Sequence, residues 1–318
     1  MPTETTFKGF NDIGDPSPSE ILTDNIVDFV DWGFIDKGAY FNVTIPKSGA
    51  YGGDQSILRP VGDPRKTAYT VWEGFRSNWV WQSGTSQSTQ PIAISGVFVN
   101  NTFMPVSGGE FYIDYPNGRI VFNTAINSAS VVKCEHSYKW INVYKSSHVP
   151  WFREIQYRSL RVDDITFNQV GSGNWTQLSD ARLQLPAIIV EMGGHNFNGY
   201  QLGGGHYMNS SVTLHVFAED GNMAHKIADY VSSQQDKTIY LYNTKLLAES
   251  GNFPLDYRGS IASGAKTYPQ LVEPVEYGGF RWRKTYLTEQ NKGFMDTINR
   301  GLYHIPVRMT TRTVLTNV

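Results

Sequence analysis

Apolar and polar positions alternate most clearly in the stretch "SVTLHVFAEDGNMAHKIADYVSSQQDKTIYLYN", residues 211–243. Val212, Leu214 and Val216 alternate with Thr213, His215 and Phe217, which predicts a strand with one fully apolar face. Asp220 suits a helix N-cap, because its carboxylate accepts the free N–H groups of a first turn. Met223, Ile227 and Val231 follow at a spacing of four, beside Ala224 and Ala228, and predict a helix laid on a sheet. Residues 234–237 make the exit turn and 238–242 a second strand.

The pattern elsewhere is mostly β. "GVFVNNTFMP" predicts a hairpin turning at Asn100-Asn101, and "FYIDYPNGRIVFN" one turning at Pro116-Asn117-Gly118, where proline presets one angle and Asn and Gly accept positive φ. "SVVKCEHSYKW" alternates Val132, Cys134, His136, Tyr138 and Trp140 against Lys133, Glu135, Ser137 and Lys139, as one strand with a dry and a wet side. Residues 91–145 are expected to form a β-meander within a sandwich. In "ILTDNIVDFVDWGFI" the apolar spacing is near helical, with Gly33 expected to keep the helix short. Residues 44–70, rich in Gly and Pro, lack a period and read as loop.

These elements predict an α+β chain in three parts. Residues 1–20 are an extended arm and 21–147 a β-rich domain. Residues 148–318 are an α+β domain with an antiparallel-rich sheet and one or two packed helices. Two strands within 183–218 are joined by a glycine loop at 193–205, and 244–279 form a long connection of a length usually functional or flexible.

The charged fraction is 18%, below the roughly 25% usual for soluble domains. With 14% aromatics and 30 glycines, this favours short strands and aromatic surfaces over long helices. A net charge of −2 gives no global attraction to nucleic acid or anionic membranes. It conceals an asymmetry: residues 1–40 carry eight acids against two lysines, and 277–318 carry seven bases against two acids. Charge runs are ordinarily solvated faces. The functional alternative is a complementary pair of faces on neighbouring copies, with Asp24, Asp28 and Asp31 on one side and Arg281, Arg283, Lys284, Arg308 and Arg312 on the other.

Little else carries chemistry. The single cysteine, Cys134, permits no intrachain disulfide and no Cys-rich zinc site. Cys134 and His136 share an apolar face and read as core. His195 and His206 flank the glycine loop and are candidates to meet across it, without an evident third metal ligand. "GSIASGAKT" at 259–267 fails as a phosphate loop, since Ala265 separates glycine from lysine and Pro269 blocks the following helix. The adjacent acids Asp163-Asp164 and Glu219-Asp220 point to opposite faces if on strands, so neither is a catalytic dyad. No nucleophile elbow occurs. The chain is expected to be no enzyme and to need no cofactor. Without a basic start and apolar core at the N-terminus, or an apolar run of membrane-spanning length, neither a signal peptide nor a membrane association is expected.

Three stretches, "SGAYGGDQSILRPV" at 48–61, "VWEGFRSNWVW" at 71–81 and "YIDYPNGRIVF" at 112–122, together resemble virion structural proteins of tailed, especially contractile-tailed, bacteriophages. The strand–helix–strand order at 211–242 is similar to the core of phage tail-terminator and neck proteins, which form rings between portal and tail tube. The resemblance implies a subunit of the virion, made in the host cytoplasm, whose partners are itself, in a six- or twelve-fold ring, and neighbouring neck, tube or sheath proteins. It implies no contact with a membrane, and DNA at most passing through a lumen. The chain is longer than simple tail terminators, so the β-rich part would be an addition. The alternatives are a baseplate or fibre-attachment protein, a carbohydrate-binding β-sandwich using Trp79, Trp81, Trp140 and Trp175, or a hydrolase with two convergent carboxylates.

Overall fold

The computed structural model describes residues 17–48, 53–149, 184–199, 206–251, 253–273, 284–299 and 301–315. In chain order these form α1 (Pro18–Asp36), β1 (Tyr40–Val43), β2 (Ile57–Pro60), β3 (Val71–Glu73), β4 (Gly96–Val99), β5 (Thr102–Pro105), β6 (Phe111–Asp114), β7 (Arg119–Phe122), β8 (Val132–Cys134), β9 (His136–Lys139) and β10 (Asn142–Lys145). There follow β11 (Ala187–Gly199), β12 (His206–Ala218), α2 (Gly221–Ser232), β13 (Thr238–Tyr240), α3 (Thr244–Glu249), α4 (Tyr268–Val272), β14 (Lys284–Lys292), β15 (Asp296–Asn299) and β16 (Leu302–Leu315). The chain is a β-rich α+β protein built on two seven-stranded sheets.

The first sheet runs β5-β4-β8-β2-β3-β7-β6 with every pair antiparallel. Both expected hairpins form. Asn100 and Asn101 take positive φ at the β4–β5 turn, and Gly118 takes φ 62° before β7. They occupy opposite edges, with β8, β2 and β3 between them, so the sheet is not a simple meander. Residues 57–60, within the stretch read as loop, supply a central strand. The expected single strand across 132–140 divides at Glu135, whose carboxylate accepts the Ile45 N–H. Its first half pairs with β2 and β4, its second with β1. Trp72, Val97, Ile120, Val132 and Cys134 fill the core, and the buried Trp79 stacks on His136 at 4.3 Å.

The second sheet runs β10-β11-β12-β16-β14-β13, with β15 on β16 and only the β10–β11 pair parallel. The segment at 211–243 folds as its pattern requires. Asp220 caps α2 by accepting the Met223 N–H, and Ala224, Ile227, Ala228 and Val231 press onto the sheet. The glycine loop is much shorter than expected, since β11 continues to Gly199.

The helix α1 departs most from expectation. It spans 19 residues, passes through Gly33 and begins at Pro18, inside the supposed arm. Ser17 and Glu20 form a reciprocal capping box around a proline at the first helical position, and Gly38, at φ 83°, ends the helix. Ile21, Leu22, Ile26, Val30 and Phe34 are buried in one core with Ile188, Leu214, Val216 and Ile227. Helix α1 therefore belongs with the second sheet, as does β10, and a boundary at 147 does not divide the packing. Each fully buried aliphatic side chain contributes about 1.5–3 kcal/mol, so removing this stripe would uncover that sheet.

The long connection is ordered where described. It carries α3 and α4 and returns to the first sheet, where the Tyr115 N–H donates to Gly259 O at 3.0 Å and Ser260 Oγ donates to Ile113 O at 2.6 Å. A Cβ at Gly259 would lie 2.6 Å from Asp114 Oδ1, so glycine permits this docking. Among the described residues no helix is long and apolar enough to cross a membrane.

Candidate assembly surface

Helices α1 and α2 cover one face of the second sheet. Strand alternation turns the other set of side chains away from them. Along β16 the buried Ile305, Val307, Met309, Thr311 and Thr313 alternate with Arg308 and Arg312, both exposed. Register sets Arg308 between Thr213 and Asn291, and Arg312 between Asn209 and Tyr286. Arg312 Nε donates to Asn209 Oδ1 at 3.1 Å, and its guanidinium lies 5.2 Å above the Tyr207 ring. Lys284 stands on the same face with its ammonium 5.4 Å above Tyr286. Three of the five expected basic residues thus share one polar face. Arg281 and Arg283 lie outside the described residues.

The acidic half of the expected pair is engaged inside the chain. Asp24 takes Lys145 Nζ at 2.8 Å and Asp31 takes Lys139 Nζ at 2.6 Å. Asp28 accepts the Tyr242 hydroxyl, and burial pushes its carboxyl up to about 6. Asn25, one residue past Asp24, donates to Tyr242 O at 2.8 Å and accepts its N–H at 2.9 Å. These residues fasten α1 to the body of the protein and do not form a solvated face offered to a neighbour. Local spacing could not show this, because every partner is distant in sequence. The capping signature Ser17-Pro18-Ser19-Glu20 was the available sign that a helix starts here.

The same sheet has two open edges. β10 covers only Ala187–Val190 of β11, so 191–199 have no outer strand among the described residues. β13 covers only residues 284–286 of β14, leaving 288–292 without an outer strand among the described residues. Residues 193–199 are exposed throughout. Directions alternate from β11 through β12 and β16 to β14, so the two open edges run oppositely.

One polar cluster lies on this face without a sequence signal. His215 Nδ1 meets His304 Nε2 at 2.9 Å, and His215 Nε2 meets Glu191 Oε2 at 3.2 Å. His304 stacks on Phe217 at 4.7 Å. Burial and the neighbouring His215 hold His304 down to about 4, and burial also lowers His215 against the pull of Glu191. Both rings stay neutral near pH 7, so the three side chains form a hydrogen-bonded series.

The remaining candidates separate. His195 lies opposite Ser210 and His206 opposite Gly199, so the two do not meet. Burial raises the Cys134 thiol far above its usual range, and lowers His136 to about 4. Among the described residues no three His, Cys, Asp or Glu side chains are grouped to hold a metal. Of the expected sugar platforms, Trp79 is buried at 1% exposure, and Trp175 lies outside the described residues, as do Asp163 and Asp164. Comparison with protein-family models and with curated proteins finds no match for this chain.

Proposed function

We propose that this chain is a non-enzymatic structural subunit of a tailed-phage virion that assembles head-to-tail into a ring, at the neck between head and tail. The observation that carries the reading is the pair of oppositely running edges on one sheet that are open among the described residues. Unpaired strand edges invite pairing with another chain, and monomeric proteins usually protect them. An edge at 191–199 set beside an edge at 288–292 of the next copy makes an antiparallel pair, and repetition continues the sheet around a ring. A contact of this kind is heterologous, as ring closure requires.

The polar face with Lys284, Arg308 and Arg312 would then line one wall of the ring. Electrostatics enter the assembly through that face, since Asp24 and Asp31 on α1 are paired with lysines inside the chain. The resemblance in the 48–61, 71–81 and 112–122 stretches supplies the virion context, and the lack of a catalytic grouping among the described residues is compatible with it.

Proline substitution tests the edge directly. Successive N–H groups on a strand point to opposite sides, so of Asn196→Pro and Phe197→Pro one removes an outward donor and the other breaks the hairpin ladder. The outward variant is expected to keep the monomer's circular dichroism and lose the multimer. A normal multimer from both variants would remove the edge from the assembly.

A further inference from the structure

A second, unrelated feature lies between α1, residues 81–82 and the 254–271 excursion. The cavity there measures about 60 Å³ and is walled by Asp28, Asp31, Trp32, Trp81, Gln82 and Tyr268. Gln82 is 7% exposed, and its Nε2 donates to Asp31 Oδ2 at 3.4 Å. Its Oε1 is buried with no hydrogen-bond partner. Flipping the amide would set two acceptors face to face, so the orphan is the oxygen. Asp31 Oδ1 is likewise buried and unpartnered.

The wall carries Lys266 as well as carboxylates, but no lysine is paired with Asp28 among the described residues. Asp24 and Asp31 each hold a lysine, whereas Asp28 meets only the Tyr242 hydroxyl among the described residues. The charged groups that reach Asp28 are Asp24, Asp31 and Lys139, with Tyr242 and Tyr268 as its aromatic neighbours. Lys266 also lines the cavity but does not figure among them. Buried acceptors without donors, and a partly buried carboxylate with no lysine paired to it, each cost stability. A donor-rich cation would satisfy all three oxygens at once.

We propose that this cavity is a binding site for one small ammonium-type cation, held by Asp28, Asp31 Oδ1 and Gln82 Oε1 in a wall that also carries Trp32 and Trp81. Aromatic walls attract an ammonium group through their π faces. A hard divalent metal needs six or more oxygens, which this wall does not supply. The volume is less than half of the ~150 Å³ that accommodates a benzene ring, so ammonium and methylammonium fit and tetramethylammonium does not.

The test uses the full chain in amine-free phosphate buffer at constant ionic strength. Melting temperature and tryptophan fluorescence are followed against ammonium, methylammonium, tetramethylammonium and sodium chlorides. The site predicts a saturable rise in melting temperature and a fluorescence change for the first two salts only. Both responses disappear in Asp28→Asn, and Gln82→Met weakens them. Apparent affinity is about tenfold lower at pH 5 than at pH 7.5, because Asp28 titrates at about 6. Equal responses to all four salts, as ordered water alone would give, overturn the proposal. So does an ammonium response of undiminished affinity in Asp28→Asn or at pH 5.

Discussion

Replacing Asp28 by Asn is expected to stabilise the protein at neutral pH, although it changes a residue in the middle of a packed helix. Burial lifts the Asp28 carboxyl from 3.8 to about 6, so the fold favours its neutral form. At 1.36 kcal/mol per pH unit, the ionised group costs about 3 kcal/mol once the pH is well above 6. The sign follows from linkage. Stability from the protonated group is complete below pH 3.8 and lost as pH rises through 6. The amide has no charge to bury, and its oxygen still accepts the Tyr242 hydroxyl. Asp28→Asn should therefore gain about 3 kcal/mol over the parent at pH 7.5, shrinking to about half a kcal/mol at pH 4. Urea unfolding of both proteins between pH 4 and 8, without ammonium salts, measures this. His136 and His304, both held near 4, lose stability as pH falls below 6.5, but they do so in both proteins and cancel in the difference. A variant less stable than the parent at pH 7.5 would mean that Asp28 is a paired charge and would refute the reasoning.

Further outcomes follow from the same contacts. Asn25→Leu leaves the Tyr242 N–H and C=O buried without partners and should cost about 2–4 kcal/mol in urea unfolding. Gly259→Ala combines a φ of 79° with a 2.6 Å approach to Asp114, so limited proteolysis should cut faster within 253–264 while the sheets persist. Cys134 is fully buried with a raised thiol, and should react with a thiol reagent only as fast as the protein unfolds. Arg308→Glu with Arg312→Glu, on an exposed face, should leave the monomer's melting temperature within a few degrees while changing the salt dependence of assembly.

Local elements were legible where one residue type has one physical use. The period change from two to 3.6 at Asp220, and the Pro-Asn-Gly turn before Arg119, need no tertiary information. Helix α1 is longer than its sequence suggests because Gly33 weighs against a helix in isolation, while packing against β10 and β11 outweighs its cost of about 1 kcal/mol. The acidic run in α1 looked like a surface because Lys139, Lys145 and Tyr242 are more than a hundred residues away. The basic residues on β16 stand out in the sequence as part of the charge run over 277–318, and strand alternation sets Arg308 and Arg312 on one face. Their neighbours Glu191, His215 and His304 were missed, since only the register of three strands brings them within reach. Gln82 had no sequence sign at all; its orphaned oxygen exists only through the fold.

The central claim is that the two open edges of the second sheet close a ring. Light scattering of the purified chain across concentration, paired with native mass spectrometry, tests it most directly. The account predicts a discrete six- or twelve-fold species, whose population falls when the outward-facing proline at 196 or 197 is introduced. A protein that stays monomeric at every concentration and salt level, with 191–199 exchanging its amides as an unpaired edge, would contradict it.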